Sequence, residues 1–570
     1  MPKAIGNRRI AKLQSVPNEP MLRSKPVPFW APPKGVNYIA RSSRIEPSYL
    51  WDAQDWVVID GRLELRRPIA HLGAAAGRPC EVGSFVTTDG FLHTFFITTG
   101  TVGDPGTLKY WNGSSWILPT GAPSLTGNQT EHLSYTAWNN KMVWTNGKDG
   151  VYELDWSSHT VTEITTTYIP KFVTTWLSRI FMGNMNESGT VLPARMRWSE
   201  KNDNTNFDDP AFPGWGNEDF LSTPGGYVDQ FQAMIPVNDV QALVIKENST
   251  WLISETGNVD APVRTGRQFA NLGSKAPRSI VSVVGGALGL FNDGIYIVSE
   301  SGVKNIGQQI IRRIQSNVLD FDSCVGAYDN DLKRYTLVTF DNELQQTVAY
   351  QYSFPDESWM PQLYRYRVSS ISYATSALVG LTIDSSPGTF DAAVGTIDSE
   401  IGSSESSQLY MGGGTSDGYF VYKEVATDDP TIIEPIGTIA KLTTGLLQAG
   451  SPLQHTELLE VNIEYESGAA VGTYIEYSTD LGATWTVYSV GSLPMTTGPG
   501  TYRYTKTLIG HNIQLRFNVY LLTPEFRLLA FVPSLVVGGE VYPESVEFLT
   551  QVPWNPIPTG ITQIPFNPIP

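Results

Sequence analysis

Ser478-Thr479-Asp480-Leu481-Gly482-Ala483-Thr484-Trp485 is the stretch whose residue types and spacing come nearest to a functional motif. An Asp two residues after a Ser and four before a Thr can cap a tight hairpin turn from within. Gly482 supplies positive φ there, and Trp485 offers a large ring to pack beneath the turn. Other chemistry is thin. The six histidines (His71, His93, His132, His159, His455 and His511) are scattered without metal-ligand spacing. There is no G-x-S-x-G elbow, no P-loop and no G-x-G-x-x-G on a strand–helix junction. Tyr328-Asp329-Asn330-Asp331 begins like a calcium loop but lacks the Asp-Gly and the distal Glu, so a hairpin turn is expected there. The two cysteines, Cys80 and Cys324, exclude a disulfide scaffold and a Cys-based zinc site. No catalytic group, cofactor or metal site is assigned, and the chain is read as a non-enzyme.

The octapeptide resembles the Asp box, S-x-D-x-G-x-T-W, of sialidases and related propellers. In those enzymes the box is a structural turn away from the active site, repeated through several blades. With one good copy here, Ser478, Asp480, Gly482 and Trp485 are expected to form a structural turn. A sialidase-like propeller that binds or cleaves glycans is kept as the alternative function.

The elements that position such residues are short strands. Hydrophobic content is 41%, charged content only 17%, and the 52 glycines, 38 prolines and 15 tryptophans suit many strands joined by tight turns. The segment Gly285–Ile314 shows the grammar: Ala287–Phe291 and Ile295–Val298 flank Asn292-Asp293-Gly294, a hairpin signal in which glycine takes φ > 0. Aromatic residues inside strands then mark a rough period, at Tyr110, Tyr152, Trp198, Trp251, Tyr296 and Tyr350, with spacings of 42 to 54 residues. Four-stranded propeller blades need a similar length. The fold class expected is all-β: an irregular β-propeller of about six to eight blades over residues 51–440, then an antiparallel β-sandwich over 441–548. A Pro-rich basic arm over 1–50 and a Pro/aromatic tail over 549–570 complete the organisation. One segment breaks the pattern: Ile310, Ile311, Ile314 and Val318 have helical spacing, with Arg312 and Arg313 expected to face solvent or a partner.

Charge is uneven. The net charge is −17, yet residues 1–70 carry +6 and the remainder −23. An acidic body argues against wrapping nucleic acid and suits a surface that DNA slides past. No secretory signal is visible at the start, and the most apolar uncharged run, Ser279–Phe291, is 13 residues and glycine-broken, too short for a membrane span. The tail repeats Pro553–Pro558 (PWNPIP) as Pro565–Pro570 (PFNPIP), with no charge after Glu547. Aromatics held among prolines dock at low entropic cost, so Trp554 and Phe566 are candidate subunit-docking residues.

Two segments carry a more specific resemblance. Gly35-Val36-Asn37, Asp52-Ala53-Gln54 and Asp60-Gly61-Arg62-Leu63 match the opening of a family of tailed-phage structural propellers, with Asp55 where the family has Asn and Pro68 where Gly is common. Farther on, Arg195, Arg197, Trp198 and Ser199 stand in place of that family's N-R-V-R-W-S segment. The likeness runs in order over roughly residues 35–350. The family includes the tail nozzle, tail hub and DNA-stabilisation proteins of short-tailed phages. The resemblance implies a virion protein made in the host cytoplasm that forms a homo-oligomeric, hexameric ring. Such a ring meets adaptor or portal-proximal proteins, and tail fibres as further partners. It retains packaged DNA and conducts it during ejection, without tight DNA binding and with no membrane span.

Overall fold

The structure, a computed structural model, describes residues 29–30, 34–39, 49–59, 62–75, 77–87, 92–98, 106–126, 133–211, 214–220, 229–374, 407–415, 418–425, 432–434, 440–447, 456–496, 498–510, 512–520 and 526–537. Among the described residues the backbone forms nine antiparallel sheets, seven of which follow one another as propeller blades.

Each of the first six blades is a meander of four consecutive strands. Blade 1 starts at Pro79–Val86, blade 2 at Ser134–Trp138, blade 3 at Tyr168–Trp176 and blade 4 at Phe231–Asn238. Blade 5 starts at Val281–Val283 and blade 6 at Val325–Asp329. Blade 7 takes Arg367–Ala374, Gln408–Thr415 and Gly418–Glu424 from late in the chain and Ile69–Ala75 from early in it. Tyr419 pairs with Ala75 and Glu424 with Ile69, so backbone hydrogen bonds fasten the start of the ring to its end. Closure of this kind removes a free sheet edge that would otherwise recruit other strands. The six aromatic markers read from the sequence all fall on the third strand of successive blades: Tyr110, Tyr152, Trp198, Trp251, Tyr296 and Tyr350. The period is thus physical, because the third strand of every blade offers a ring to the layer between blades. Phe95, Trp144 and Trp156 fill the space between blades 1 and 2. Trp176, Phe181, Trp198 and Phe231 fill that between blades 3 and 4.

The sandwich departs from the expected order. Strands Leu50–Gln54, Trp56–Ile59 and Arg62–Leu65, placed in the propeller by the 51–440 boundary, belong to the sandwich instead. Arg62–Leu65 pairs with Arg527–Val537, and Leu50–Gln54 with Ala440–Thr444. The first sheet contains Trp56–Ile59, Arg62–Leu65, Arg527–Val537, Thr456–Glu466 and Gly500–Gly510, with Phe29–Trp30 also pairing to Arg527–Val537. The second contains Leu50–Gln54, Ala440–Thr444, Gln514–Tyr520, Val471–Ser478 and Thr486–Leu493. The physical reason is local: Trp56, Val58, Leu63 and Leu65 have their apolar partners among Phe517, Phe526 and Leu528, far away in sequence.

One apolar core runs from the sandwich into blades 5 and 6, joining Trp56 and Phe517 to Leu288, Tyr335, Tyr350 and Trp359. The helix Ile311–Asn317 sits at this junction with Ile310, Ile314 and Val318 buried. Arg312 is exposed, but Arg313 turns inward, 3.4 Å from Asp52 and with its guanidinium 4.6 Å from the Tyr38 ring. The hairpin at 292–294 forms between Gly286–Leu290 and Ile295–Ser299. It closes with the Phe291 N–H on the Gly294 carbonyl, and the left-handed glycines lie on either side of it, at Gly285 and Gly302. No helix among the described residues is long and apolar enough to cross a membrane.

Candidate functional site

The propeller axis holds a cavity of ≈ 790 Å³, to which all seven innermost strands contribute. Arg278, on the turn Pro277–Ser279 before blade 5, reaches across it. Its Nη2 donates to the Cys80 carbonyl, to Glu81 Oε2 at 3.2 Å and to the Ser369 carbonyl at 2.8 Å. One side chain therefore ties blade 5 to blades 1 and 7. Burial pushes the Glu81 carboxyl up to about 7, against the opposing pull of Arg278. Tyr135, next to Glu81 on the cavity wall, is raised well above the ordinary phenol range, first by burial and then by the Glu81 charge. Chemically this is a strut with a carboxyl that titrates near neutrality. Neither Glu81 nor Arg278 carried a recognisable signal in the sequence, since their contact spans 197 residues.

The residues singled out in the sequence fall elsewhere. Ser478, Asp480, Gly482 and Trp485 make the turn that joins Val471–Ser478 to Thr486–Leu493. Ser478 Oγ donates to Asp480 Oδ1 at 2.7 Å, and Asp480 accepts from the Thr484 N–H at 2.9 Å and hydroxyl at 2.6 Å. These bonds, the Thr484 hydroxyl foremost, hold the Asp480 carboxyl down at about 2. Gly482 has φ 87°, and the Trp485 indole donates back to its carbonyl at 3.0 Å. Asp329 likewise caps a hairpin, accepting from the Asp331 and Leu332 N–H groups at 3.0 Å.

Arg195 and Arg197 are fully engaged in blade 3. Arg195 grips Asp219 with two bonds of 2.6 and 2.8 Å and reaches Glu187 at 3.1 Å. Arg197 binds Glu187 at 3.1 Å and the Phe207 carbonyl at 2.9 Å, with its guanidinium 3.9 Å from the Tyr168 ring. Trp198 is buried against Phe181. Ser199 Oγ accepts from the Ile180 N–H, while Arg179 donates to the Ser199 and Gly214 carbonyls. Together these groups hold Ser199, Phe207 and Gly214 in place.

The opening motif forms the seam between sandwich and propeller. Gly35, at φ 80°, bridges to Trp359, the Val36 N–H donates to the Trp359 carbonyl at 2.9 Å, the Asn37 N–H donates to the Leu50 carbonyl at 3.0 Å, and the Leu50 N–H donates to the Gly35 carbonyl at 2.9 Å. A Cβ at Gly35 would stand 2.5 Å from the Trp359 carbonyl oxygen, so the close approach needs glycine. Arg62 is exposed and lies 3.9 Å from Glu466. Asp60, Gly61, Trp554 and Phe566 lie outside the described residues. No group of three or more His, Cys, Asp or Glu positioned for a metal ion occurs among the described residues.

These features define a class: an all-β chain in which a seven-bladed β-propeller is welded to a β-sandwich built from both ends of the sequence. No family model matches the chain, and no curated protein matches it. Among solved structures it is similar to U3-55K, at 7% identity and TM-score 0.36, over 63% of this chain and 98% of that one. It is also similar to BamB from Moraxella catarrhalis, at 6% and 0.33, over 63% and 100%. An exo-β-1,3-galactanase from Phanerochaete chrysosporium matches at 11% and 0.26, over 73% and 99%. At these scores the likenesses say nothing about activity.

Proposed function

We propose that the chain is a structural subunit of a short phage tail, assembling as a hexameric ring that retains packaged DNA and conducts it during ejection. The observation that carries this reading is the placement of the residues on which the family resemblance rests. Gly35-Val36-Asn37 and Asp52-Ala53-Gln54 lie in the seam between sandwich and propeller, and Arg195 to Ser199 clamp a blade 3 loop. They stiffen a body that must withstand mechanical load; none of them lines the axial cavity. Because Arg278 spans the propeller axis, a duplex whose major groove alone is about 12 Å wide has no route through a single subunit. The DNA path then lies in the lumen between copies, where the acidic body, −23 outside residues 1–70, keeps phosphates from being retained.

The test is the mass of the purified protein by light scattering, with negative-stain images of the same sample. Rings with six-fold symmetry and an axial hole support the reading. Monomers that stay monomeric when mixed with the portal and its adaptor count against it. The alternative, a glycan-binding propeller, draws on a second recess of ≈ 640 Å³ at the hairpin ends of blades 2 to 4, where Trp138 and Trp176 meet Asn139, Asn238 and Asp239. The Trp138 and Trp176 rings are buried beneath the recess, and the exposed Asn139, Asn238 and Asp239 give it polar groups of the kind that bond sugar hydroxyls. A glycan screen on the same sample decides between the two.

A further inference from the structure

The outward face of the second sandwich sheet carries apolar side chains that the fold leaves to solvent. Its inward positions, among them Ile475, Phe517 and Val519, belong to the core, and the alternate positions point away from it. Val490 pairs with Tyr474 and Val487 with Glu476, so these four share the outer face. Val490 is 64% exposed and Val487 47%. Beside them the Tyr474 and Tyr520 rings lie 5.7 Å apart at a 49° tilt. Gly472 allows this, because a Cβ there would come within 2.7 Å of the Tyr520 ring. At the turn end of the same face Trp485 stacks on the Arg516 guanidinium at 3.8 Å. The strand Thr486–Leu493, which bears both valines, is the edge of its sheet.

We propose that this face is the docking site of the chain's own segment 553–570, with Trp554 and Phe566 packing against Tyr474, Tyr520, Val487 and Val490. Four observations point to that occupant. Tilted aromatic rings flanked by aliphatic side chains are the surface on which proline-rich peptides dock, since a polyproline II segment has little conformational freedom left to lose. The segment repeats P-x-N-P-I-P with one aromatic in each copy and carries no charge, which matches a face whose exposed Val487 and Val490 lie beside two half-buried tyrosines. The strand Arg527–Val537 ends within the sandwich, and the intervening residues 538–552 span up to about 50 Å. That reach exceeds the roughly 27 Å length of the eight-residue edge strand that bears the two valines. The other proline-rich stretch, Pro17–Pro33, is basic, and its Phe29–Trp30 pairs with Arg527–Val537 in the opposite sheet. The docking does not depend on the tail-assembly reading.

The experiment uses the full chain carrying Trp554→Ala and Phe566→Ala, which leaves every described strand intact. A fluorescein-labelled peptide of residues 549–570 is titrated against it and followed by anisotropy. Saturable binding is expected, weakened at least tenfold by Val490→Asp and, in a separate variant, by Val487→Asp. Both sites are exposed, so unchanged unfolding midpoints are expected for both variants. The unsubstituted chain, whose own segment competes, should bind the labelled peptide more weakly. Absence of saturable binding, or binding indifferent to both Asp variants, overturns the proposal. Displacement by a peptide of residues 17–33 as effective as by unlabelled 549–570 assigns the face to the N-terminal arm and overturns it as well.

Discussion

Asp55 and Arg66 form an ion pair of 2.9 Å with neither side chain open to solvent, at the seam where the sandwich meets blade 6. Asp55 Oδ1 also accepts the Leu363 N–H at 3.1 Å, and the Asp55 N–H donates to the Pro361 carbonyl at 3.2 Å. The Arg66 guanidinium lies 4.9 Å from the Tyr364 ring. Asp55 has φ 62°, a left-handed backbone that Asn and Asp tolerate better than other non-glycine residues. The pair thus fixes the strand that leaves the sandwich against the outer strand of a propeller blade.

Asp55→Ala should leave Arg66 buried without its carboxylate and cost about 3–5 kcal/mol of stability. Asp55→Asn should cost less, because the amide oxygen still accepts the Leu363 N–H and the backbone conformation is tolerated. Urea unfolding followed by tryptophan fluorescence measures both. An Ala variant with an unchanged midpoint would show that the apolar core alone holds the seam.

Glu81 makes stability depend on pH around neutrality. Its carboxyl sits above its unfolded value, so its contribution is fully present below about 4.5 and is lost as pH rises through about 7. Relative to Glu81→Gln, the native chain should therefore lose on the order of 2–3 kcal/mol between pH 5 and pH 8. Thermal unfolding of both proteins across that range gives the difference. A constant offset at every pH would mean that the axial carboxyl is not shifted.

Arg197→Lys keeps the charge but loses the planar fork that reaches Glu187 and the Phe207 carbonyl together. We expect a loss of about 1–3 kcal/mol and a looser stretch at 199–207. Trypsin reports this directly, because Lys201 is exposed within it. Cleavage there should accelerate several-fold in the variant, and equal rates would place the clamp elsewhere.

Neither cysteine is in a disulfide and both are buried, Cys80 at 2% and Cys324 at 0% exposure. Burial pushes the Cys324 thiol up to about 12, ahead of the charges of Asp320 and Asp322. A thiol-specific chromogenic reagent at pH 8 should find neither group in the native chain and both in denaturant. Fast release of one equivalent from the native chain would contradict the packing at that site.

Local patterns carried a good part of the fold. The Asp480 turn and the Asp329 hairpin were legible because every hydrogen bond that makes them lies within a few residues. The aromatic period was legible because each blade repeats one packing need, and Tyr110 to Tyr350 occupy equivalent third strands. Arg313 was misplaced for the opposite reason: helical spacing identified its turn of helix, but Asp52 and Tyr38, which draw it inward, come from the start of the chain. The domain boundary failed in the same way, since the alternation of Trp56 to Leu65 shows a strand without showing its partner.

By itself, then, the order of residues determined what each segment becomes: strands from alternation, turns from Gly, Asn and Asp, and one helix from Ile310 to Val318. Only the tertiary structure decided which strands pair. Ile69–Ala75 closes blade 7 across some 340 residues, Leu50–Leu65 joins strands beyond residue 440, and Arg278 finds Glu81 across the propeller axis. Backbone hydrogen bonds are alike for every strand, so long-range choice rests on side-chain volume and buried charge. Those become readable only when the distant partners, such as Trp56 with Phe526 and Asp55 with Leu363, stand side by side.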